Sequence, residues 1–541
     1  MKVIIVFLVI GFLIYGNMLG NQFVDDDAQL EINPLFHSIS NIPQFFLSGD
    51  RGIQNGGYYR PIADTFFTIE YALFGFYPAG YHVVQLLLHI GVSFLGFFVF
   101  KKFFSKELSL TLALVFLVHP LNTEAVSYIS AFRENLFVLF GLSALLSNKL
   151  PLTFICLSAS ILSKETGIIF LFLTPIYKYL KHREIFKNTC LSVLSVITIY
   201  GFFRVISGVN LVKKAIVPIQ TLNVWERMIH VPQIVVYYLK NLVYPVNLIS
   251  NQAWVILKIT PDNFYIPLLV IFLVIITMTA GVIYRYKKDG EIKPMIFFGV
   301  WLLLALGVHI QIIPLDVTVA DRWFYAPMIG VLGFVGSFLG KFKKTFTIPV
   351  IFVFIYLSVL TIARNDKWHD NMRLIAHDYA ASKNEDYLLE KRYGTELLIA
   401  GQLDLATRHL KNANRLFLQN YGAWNNLGTI YTKTGKIDEA LAAYKQAIAN
   451  DNYFGAYQNT AYLLIKYKGI PEAEGFVIKA LNLFPDDATL WYYLLIIELK
   501  LNNMKEATQA AAMYYRLNPS EQSYTIYSRL QNGEPVIINL N

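Results

Sequence analysis

Cysteine is nearly absent: two in 541 residues, Cys156 and Cys190, both in or beside apolar runs. That excludes a disulfide framework and a Cys-x-x-Cys metal site. Charge is also scarce, at 15% of residues against 55% hydrophobic ones, with a mean hydropathy of +0.45. A soluble protein of this length does not carry so little charge, so the chain reads as a multi-pass membrane protein. Walker, Gly-x-Gly-x-x-Gly, His-Glu-x-x-His and nucleophile-elbow patterns are missing too, which leaves acid–base and phosphate-binding chemistry as the style of any reaction.

The net charge of +9 resides in short clusters between apolar runs, such as "KKFFSK", "KHREIFK", "RYKK" and "KFKK". They read as cytoplasmic anchors rather than a nucleic-acid surface. Spans of roughly 17–25 apolar residues are expected near 3–20, 81–100, 107–120, 135–148, 186–203, 263–284, 294–313, 324–340 and 345–362. Residues 1–20 lack a convincing cleavage site and read as a retained first helix. Two short helices meeting at Ser163-Lys164-Glu165 within 150–180 keep both neighbouring basic clusters inside, and bring the expectation to about eleven spans. Segment 229–250, interrupted by His230, Pro232, Lys240 and Pro245, reads as interfacial or re-entrant.

After Arg364 the chain changes character, and from about 387 it carries a period of about 34 residues. In 421–454, Trp424, Leu427, Gly428, Tyr431, Gly435, Ala440, Tyr444 and Ala447 take the interlocking large and small positions of a tetratricopeptide repeat. Gly394, Gly401, Ala406 and Ala413 precede them in register. Gly469, Ala473, Ala480 and Pro485 follow after a one-residue deletion, and Trp491, Leu494, Ala507 and Pro519 mark a fourth unit. The fold expected is all-α: a helical membrane bundle over 1–362, a linker or capping helix over 363–386, four repeats over 387–521, and a terminal cap or tail over 522–541.

With Lys2 inside, the polar oddities fall on one external face, where ionisable groups mark function by default. Asp25, Asp26 and Asp27 close the first span; a solvated helix end explains them, as does a base whose pKa is raised by like charges. Arg60 opens the amphipathic stretch 56–75; it is suited to snorkelling or to bidentate phosphate contact. The second external loop holds His119, Glu124 and Arg133, which a helix cap and a surface ion pair also account for. Lys164 and Glu165 sit at a hairpin tip, where they neutralise each other or face a ligand, and Asp321 and Arg322 precede another span.

Phe23 with Asp26-Asp27, Asn33-Pro34, Tyr59-Arg60-Pro61, Gly80-Tyr81-His82 with His89, His119-Pro120 with Thr123-Glu124-Ala125-Val126, Ser163-Lys164-Glu165 with Gly167, and Ala320-Asp321-Arg322 with Tyr325-Ala326-Pro327 occur in that order before the repeats. This succession resembles the transmembrane-and-TPR-containing O-mannosyltransferase family, itself similar to the GT-C glycosyltransferases. The resemblance implies a polyprenyl-phosphate-linked sugar as donor, an external carboxylate after the first helix as base, and a secreted or membrane protein held by the repeats as acceptor. It assigns Asp26 as general base with Asp27 as partner and Glu124 as the acidic residue of the second loop; Asp25 stands where the family often has an aromatic. Arg60, Lys164, Arg322 and, more weakly, Arg133 are the candidates for holding the donor phosphate, with His119, Glu165 and Asp321 as secondary candidates. Direct displacement by the acceptor implies inversion. Hard oxygen ligands at Asp26 and Glu124 suit Mg²⁺ or Mn²⁺, yet no His or Cys spacing supports a metal, and none is assigned. The setting expected is a bacterial inner membrane with the repeats periplasmic, or an endoplasmic-reticulum membrane with lumenal repeats. Two other classes stay open at this point: a membrane-anchored repeat scaffold without catalysis, and a transporter, whose polar site would lie nearer the midplane.

Overall fold

In the computed structural model, residues 2–48, 58–209, 217–339, 347–382 and 386–538 are described. They form two compact units that part at 384/385. The boundary expected at 362 falls inside the Thr347–Lys367 helix, and the helix Asn371–Ala381 belongs to the first unit.

Each expected span coincides with a helix in the first unit. Of the about eleven spans expected, seven among the described residues are helices long and apolar enough to cross a membrane: Lys2–Gly20, Pro78–Lys101, Ile129–Leu146, Arg183–Ile206, Pro261–Lys288, Asp321–Leu339 and Ile348–Lys367. Lys106–Val118 bends by 54° into Pro120–Ser127. That break follows from Pro120, which withholds an N–H and sits where a new turn starts. Leu150–Ser163, Ile168–Lys181 and Lys293–Gly307 are shorter, at 14, 14 and 15 residues. The first two meet at Lys164–Gly167, where a Cβ on Gly167 would lie 2.6 Å from the Ser160 backbone, so the close turn requires glycine.

Packing in this unit relies on small residues beneath aromatic ones. Cβ atoms added at Gly141 and Gly333 would enter the rings of Phe170 and Phe298, the small-against-large contact by which membrane helices approach closely. His89 is wholly buried and joins three elements, bonding to Tyr325 Oη at 2.8 Å and to the Leu117 carbonyl at 2.9 Å.

The segment 229–250 contributes a 13-residue helix, Val231–Val243, with Pro232 tolerated in its first turn. His230 donates from Nδ1 to the Glu226 carbonyl and accepts the Ile256 N–H at Nε2, 2.7 Å away. Beyond it, Asn251 and Gln252 pair antiparallel with Ala320 and Val319 in a two-residue ladder.

The second unit is a helical solenoid of four helix pairs, whose second helices begin at Leu403, Ile437, Ile470 and Met504. The turns take left-handed or extended positive-φ residues Gly401, Gly435, Gly469 and Asn502. The one-residue deletion lies in the third turn: Gly469 serves as turn residue and as N-cap, after a π-helical turn at Leu464–Lys468. Small positions Ala406, Ala440, Ala473 and Ala507 are all fully buried, which fixes the register of the stack. Glu521–Gln531 adds a final helix packed through Ile526 and Leu530.

Candidate active site

The first span ends in a short 3₁₀ segment, and Asp25 to Asp27 then take three different environments. Asp25 adopts a left-handed backbone, φ 53°, which an aspartate accommodates better than most residues, and its N–H donates to Asn371 Oδ1 at 2.8 Å. Asp27 is wholly buried; its carboxylate accepts the Val24 N–H at 3.1 Å and the Ser130 N–H at 2.7 Å. It closes its own 3₁₀ turn and fastens it to the second external loop. Burial pushes the Asp27 carboxyl up to about 7, against the pull of those hydrogen bonds.

Asp26 differs from both. Its N–H donates to Tyr128 Oη at 3.2 Å, while its carboxylate has no hydrogen-bond or ion-pair partner among the described residues. Protein surrounds it, yet it keeps open surface, because it lines a cavity of about 530 Å³. Burial raises its pKa; Asp25 and Asp316 add to the rise, and Arg322 and Arg133 oppose it.

Five cations share that wall: Arg60, Arg133, Lys164, Arg204 and Arg322. Arg60 Nε pairs with Glu165 at 2.7 Å, and the other Glu165 oxygen accepts the Tyr59 N–H at 2.9 Å and lies 3.8 Å from Arg204. Lys164 pairs with the buried Glu134. The Arg60 guanidinium covers the Tyr58 ring at 3.9 Å, and the Tyr58 hydroxyl donates to Asp316 at 3.3 Å. Gly56 and Gly57 of the same stretch lie outside the described residues.

Of the residues singled out in the sequence, the cavity brings together Asp26, Arg60, Arg133, Lys164, Glu165 and Arg322. Asp27, Glu124, His119 and Asp321 are buried outside its wall, and Asp25 is also off it. Glu124 lies behind Arg322, accepting its backbone N–H at 2.8 Å and pairing with its guanidinium. Asp321 accepts the Tyr237 hydroxyl at 2.6 Å. His119 accepts the Leu121 N–H at Nδ1 and donates from Nε2 to the Leu242 carbonyl at 3.0 Å, so it caps a helix and ties it to a loop.

The wall also holds Glu134 of the second external loop and residues the sequence reading passed over: Tyr58, Asp64, Tyr128, Arg204, His309 and Asp316. Arg204 carried a legible signal, an arginine in the last turn of a span whose other end is marked by "KHREIFK". Tyr128 carried none; its ring stacks on Trp368 at 5.5 Å, and its hydroxyl holds Asp26. Among the described residues, no three His, Cys, Asp or Glu side chains gather as a metal-holding group.

The tetratricopeptide repeat family model matches residues 421–453. The protein O-mannosyl-transferase F38B6.6 of Caenorhabditis elegans is 26% identical over 385 residues, covering 66% of this chain and 55% of that protein. The protein O-mannosyl-transferase TMTC3 of Homo sapiens is 22% identical over 603 residues, covering 91% and 65%. Human TMTC4, of the same description, is 38% identical over 103 residues, 16% of this chain and 14% of its own. The chain thus spans between 55 and 65% of the length of the first two relatives. The resemblance carried by the ordered motifs therefore extends over 91% of the chain, and it is to proteins named as protein O-mannosyl-transferases.

Proposed function

We propose that the chain is an integral-membrane glycosyltransferase that moves mannose or another hexose from a polyprenyl-phosphate donor to a hydroxyl of a secreted or membrane protein. The observation that carries this reading is the cavity: one carboxylate without a side-chain partner, Asp26, faces a wall that holds five cations. Its 530 Å³ suits a lipid-linked sugar headgroup. The names of the relatives, in which transfer of mannose to protein is explicit, favour mannose and a protein acceptor.

A prenyl phosphate is a good leaving group, so the reaction needs a base at the acceptor more than an acid at the donor. In the proposed step the acceptor hydroxyl oxygen attacks the anomeric carbon as its proton passes to Asp26. The bond from that carbon to the phosphate oxygen breaks, and the electron pair leaves on the phosphate, held by Arg322 with Arg60, Lys164, Arg133 and Arg204 around it. A single displacement inverts the anomeric centre. Glu124 acts by orienting Arg322, and Asp27 by bracing the turn that presents Asp26.

The short helices support the same placement. At 14 residues each, Leu150–Ser163 and Ile168–Lys181 reach about 21 Å, against a hydrocarbon layer of roughly 30 Å. With their basic ends cytoplasmic, Lys164 and Glu165 sit below the outer boundary, at the level a prenyl phosphate reaches from the lipid. The repeats, external in this topology, recruit the acceptor and raise its local concentration by tethering. The setting is a bacterial inner membrane or, in a eukaryote, the endoplasmic reticulum.

The test is transfer in cells lacking the protein, complemented with wild type or Asp26→Asn, read by intact mass of exported proteins that co-purify with the full chain. A hexose-sized increment with wild type that disappears with a stably expressed Asp26→Asn supports the proposal. Equal masses with both, while partners still co-purify, overturn it in favour of a non-catalytic scaffold.

A further inference from the structure

Arg322 reaches the cavity with two acceptors on one side of it. Its Nη1 contacts Glu124 and donates to Asn251 Oδ1 at 2.7 Å. Asn251 belongs to the two-residue ladder with Val319 and Ala320, which leads straight into Asp321-Arg322. So short a ladder has too few hydrogen bonds to hold its own register. On one side Thr318 secures it, donating from Oγ1 to the Trp254 carbonyl at 2.6 Å and from its N–H to the Gln252 carbonyl at 2.7 Å. On the other side the anchor is Asp378. Its Oδ2 accepts both the N–H and the hydroxyl of Ser250, at 2.9 and 2.5 Å, and its Oδ1 faces Arg364 at 3.1 Å and His377 at 3.2 Å. Asp378 is fully buried and lies 56 residues beyond Arg322, in the last helix before the repeats.

We infer that Asp378 is a positioning residue for Arg322, acting through Ser250 and Asn251, and that it thereby sets the affinity of the cavity for the donor phosphate. This rests on the phosphate-binding reading of Arg322. The hydrogen-bond and ion-pair partners of Asp378 among the described residues, Ser250, Arg364 and His377, all lie off the cavity wall. Asp378 fixes Ser250, which fixes the adjacent Asn251, and Asn251 keeps the guanidinium from swinging wholly onto Glu124. A buried Arg364–Asp378 pair serving stability alone would need no bond to Ser250; here one carboxylate oxygen is given over entirely to that residue. The arrangement makes the helix that precedes the repeats part of the support of the donor site.

The experiment uses the full chain in lipid nanodiscs and a radiolabelled polyprenyl monophosphate as probe, with binding measured for wild type, Asn251→Ala, Asp378→Asn, Ser250→Ala and Arg322→Ala, and for Asp378→Asn combined with Arg322→Ala. Loss of one hydrogen bond to a charged group predicts that Asn251→Ala and Asp378→Asn each weaken binding about tenfold. Ser250→Ala keeps the Arg364–Asp378 pair and is expected to weaken it by a smaller factor; it is the decisive variant where Asp378→Asn does not fold. Against Arg322→Ala, Asp378→Asn should then add less than about twofold, because it acts through the missing side chain. Unchanged affinity in all three upstream variants, or an equal loss with and without Arg322, overturns the inference. If Arg322→Ala binds as wild type does, the phosphate-site reading fails first and this inference falls with it.

Discussion

Asp26 and Asp27 are adjacent, and the structure gives them opposite dependencies, so one pair of substitutions separates a base from a brace. Among the described residues the Asp26 carboxylate holds no other side chain in place; its backbone N–H donates to Tyr128 and its carbonyl accepts the Gln29 N–H. Asp26→Asn is isosteric and keeps both bonds, so thermal unfolding of the purified chain should stay within about 0.5 kcal/mol of wild type. Loss of the proposed general base should lower turnover by about 10²–10⁴-fold. Asp27→Ala, by contrast, orphans the N–H groups of Val24 and Ser130 in a fully buried site. At about 1–3 kcal/mol for each unsatisfied group, the loss is about 2–6 kcal/mol, a large part of a stability of about 5–15 kcal/mol. Asp27→Asn keeps one acceptor and should lose about half as much. Turnover is measured with a polyprenyl-phosphate sugar and an acceptor protein, and folding by intrinsic fluorescence on heating. An Asp26→Asn protein with more than about a tenth of wild-type turnover would refute the assignment, as would an Asp27→Asn protein that is fully stable and inactive.

Because the proposed base acts ionised and burial raises the pKa of Asp26, kcat/KM should fall in acid at a pH above the ordinary 3.8 of an aspartate, which a pH–rate profile reads directly. Asp27, pushed up to about 7 by burial from an ordinary 3.8, binds its proton more tightly folded than unfolded. Its contribution to stability is therefore full below about pH 4 and is lost as pH rises to about 7, by about 4 kcal/mol in all; the stability gap between wild type and Asp27→Asn should move in wild type's disfavour between pH 5 and pH 8. Arg322→Lys keeps the charge but loses the rigid planar guanidinium whose Nη1 meets both Glu124 and Asn251, and should lower kcat/KM for the donor about tenfold with the acceptor KM unchanged. Gly428→Ala places a methyl group in the Tyr444 ring and should destabilise the repeat unit by about 1–3 kcal/mol, seen as earlier unfolding on heating.

Helices and repeats were legible because each follows a period. Apolar runs located a helix at every expected span, though among the described residues only seven are long and apolar enough to cross, and the 34-residue recurrence located four helix pairs, even placing a deletion that the structure puts at Gly469. The wall residues drawn from short polar motifs at span ends were legible for a similar reason, since a charge beside an apolar run is conspicuous. What a motif does not encode is the side-chain direction within it. Asp26 and Asp27 have different surroundings because consecutive side chains of one 3₁₀ turn point about 120° apart, one carboxylate to the cavity and the next into the protein. Likewise Asp321 and Arg322 sit on opposite sides of one 3₁₀ turn, toward Tyr237 and toward the cavity. Ser250 and Asp378 were illegible altogether, because their meeting joins segments 128 residues apart through polar side chains without any periodic signal.

The charges on the wall also bear on how such a site works when filled. Among the described lining residues, five carboxylates (Asp26, Asp64, Glu134, Glu165 and Asp316) stand against five cations (Arg60, Arg133, Lys164, Arg204 and Arg322). Unpaired cations at that density would repel one another in a medium of low dielectric, so pairs such as Arg60–Glu165 and Lys164–Glu134 keep the empty cavity tolerable. In the proposed step the total charge does not change, but its position does. One negative charge disappears from Asp26 as it takes the acceptor proton, and one appears on the departing phosphate. At Asp26 burial, Asp25 and Asp316 oppose that charge and outweigh Arg322 and Arg133, which favour it. On the phosphate it is met by the cations, with Arg322 already oriented by Glu124 and Asn251. A preorganised wall that disfavours charge where it starts and favours it where it arrives lowers the barrier without binding the ground state more tightly. For this reason the pairing of the cations matters as much as their number: Glu124→Gln, which leaves Arg322 in place but less firmly oriented, should lower kcat more than it raises the donor KM, and the reverse split in steady-state kinetics would count against the mechanism.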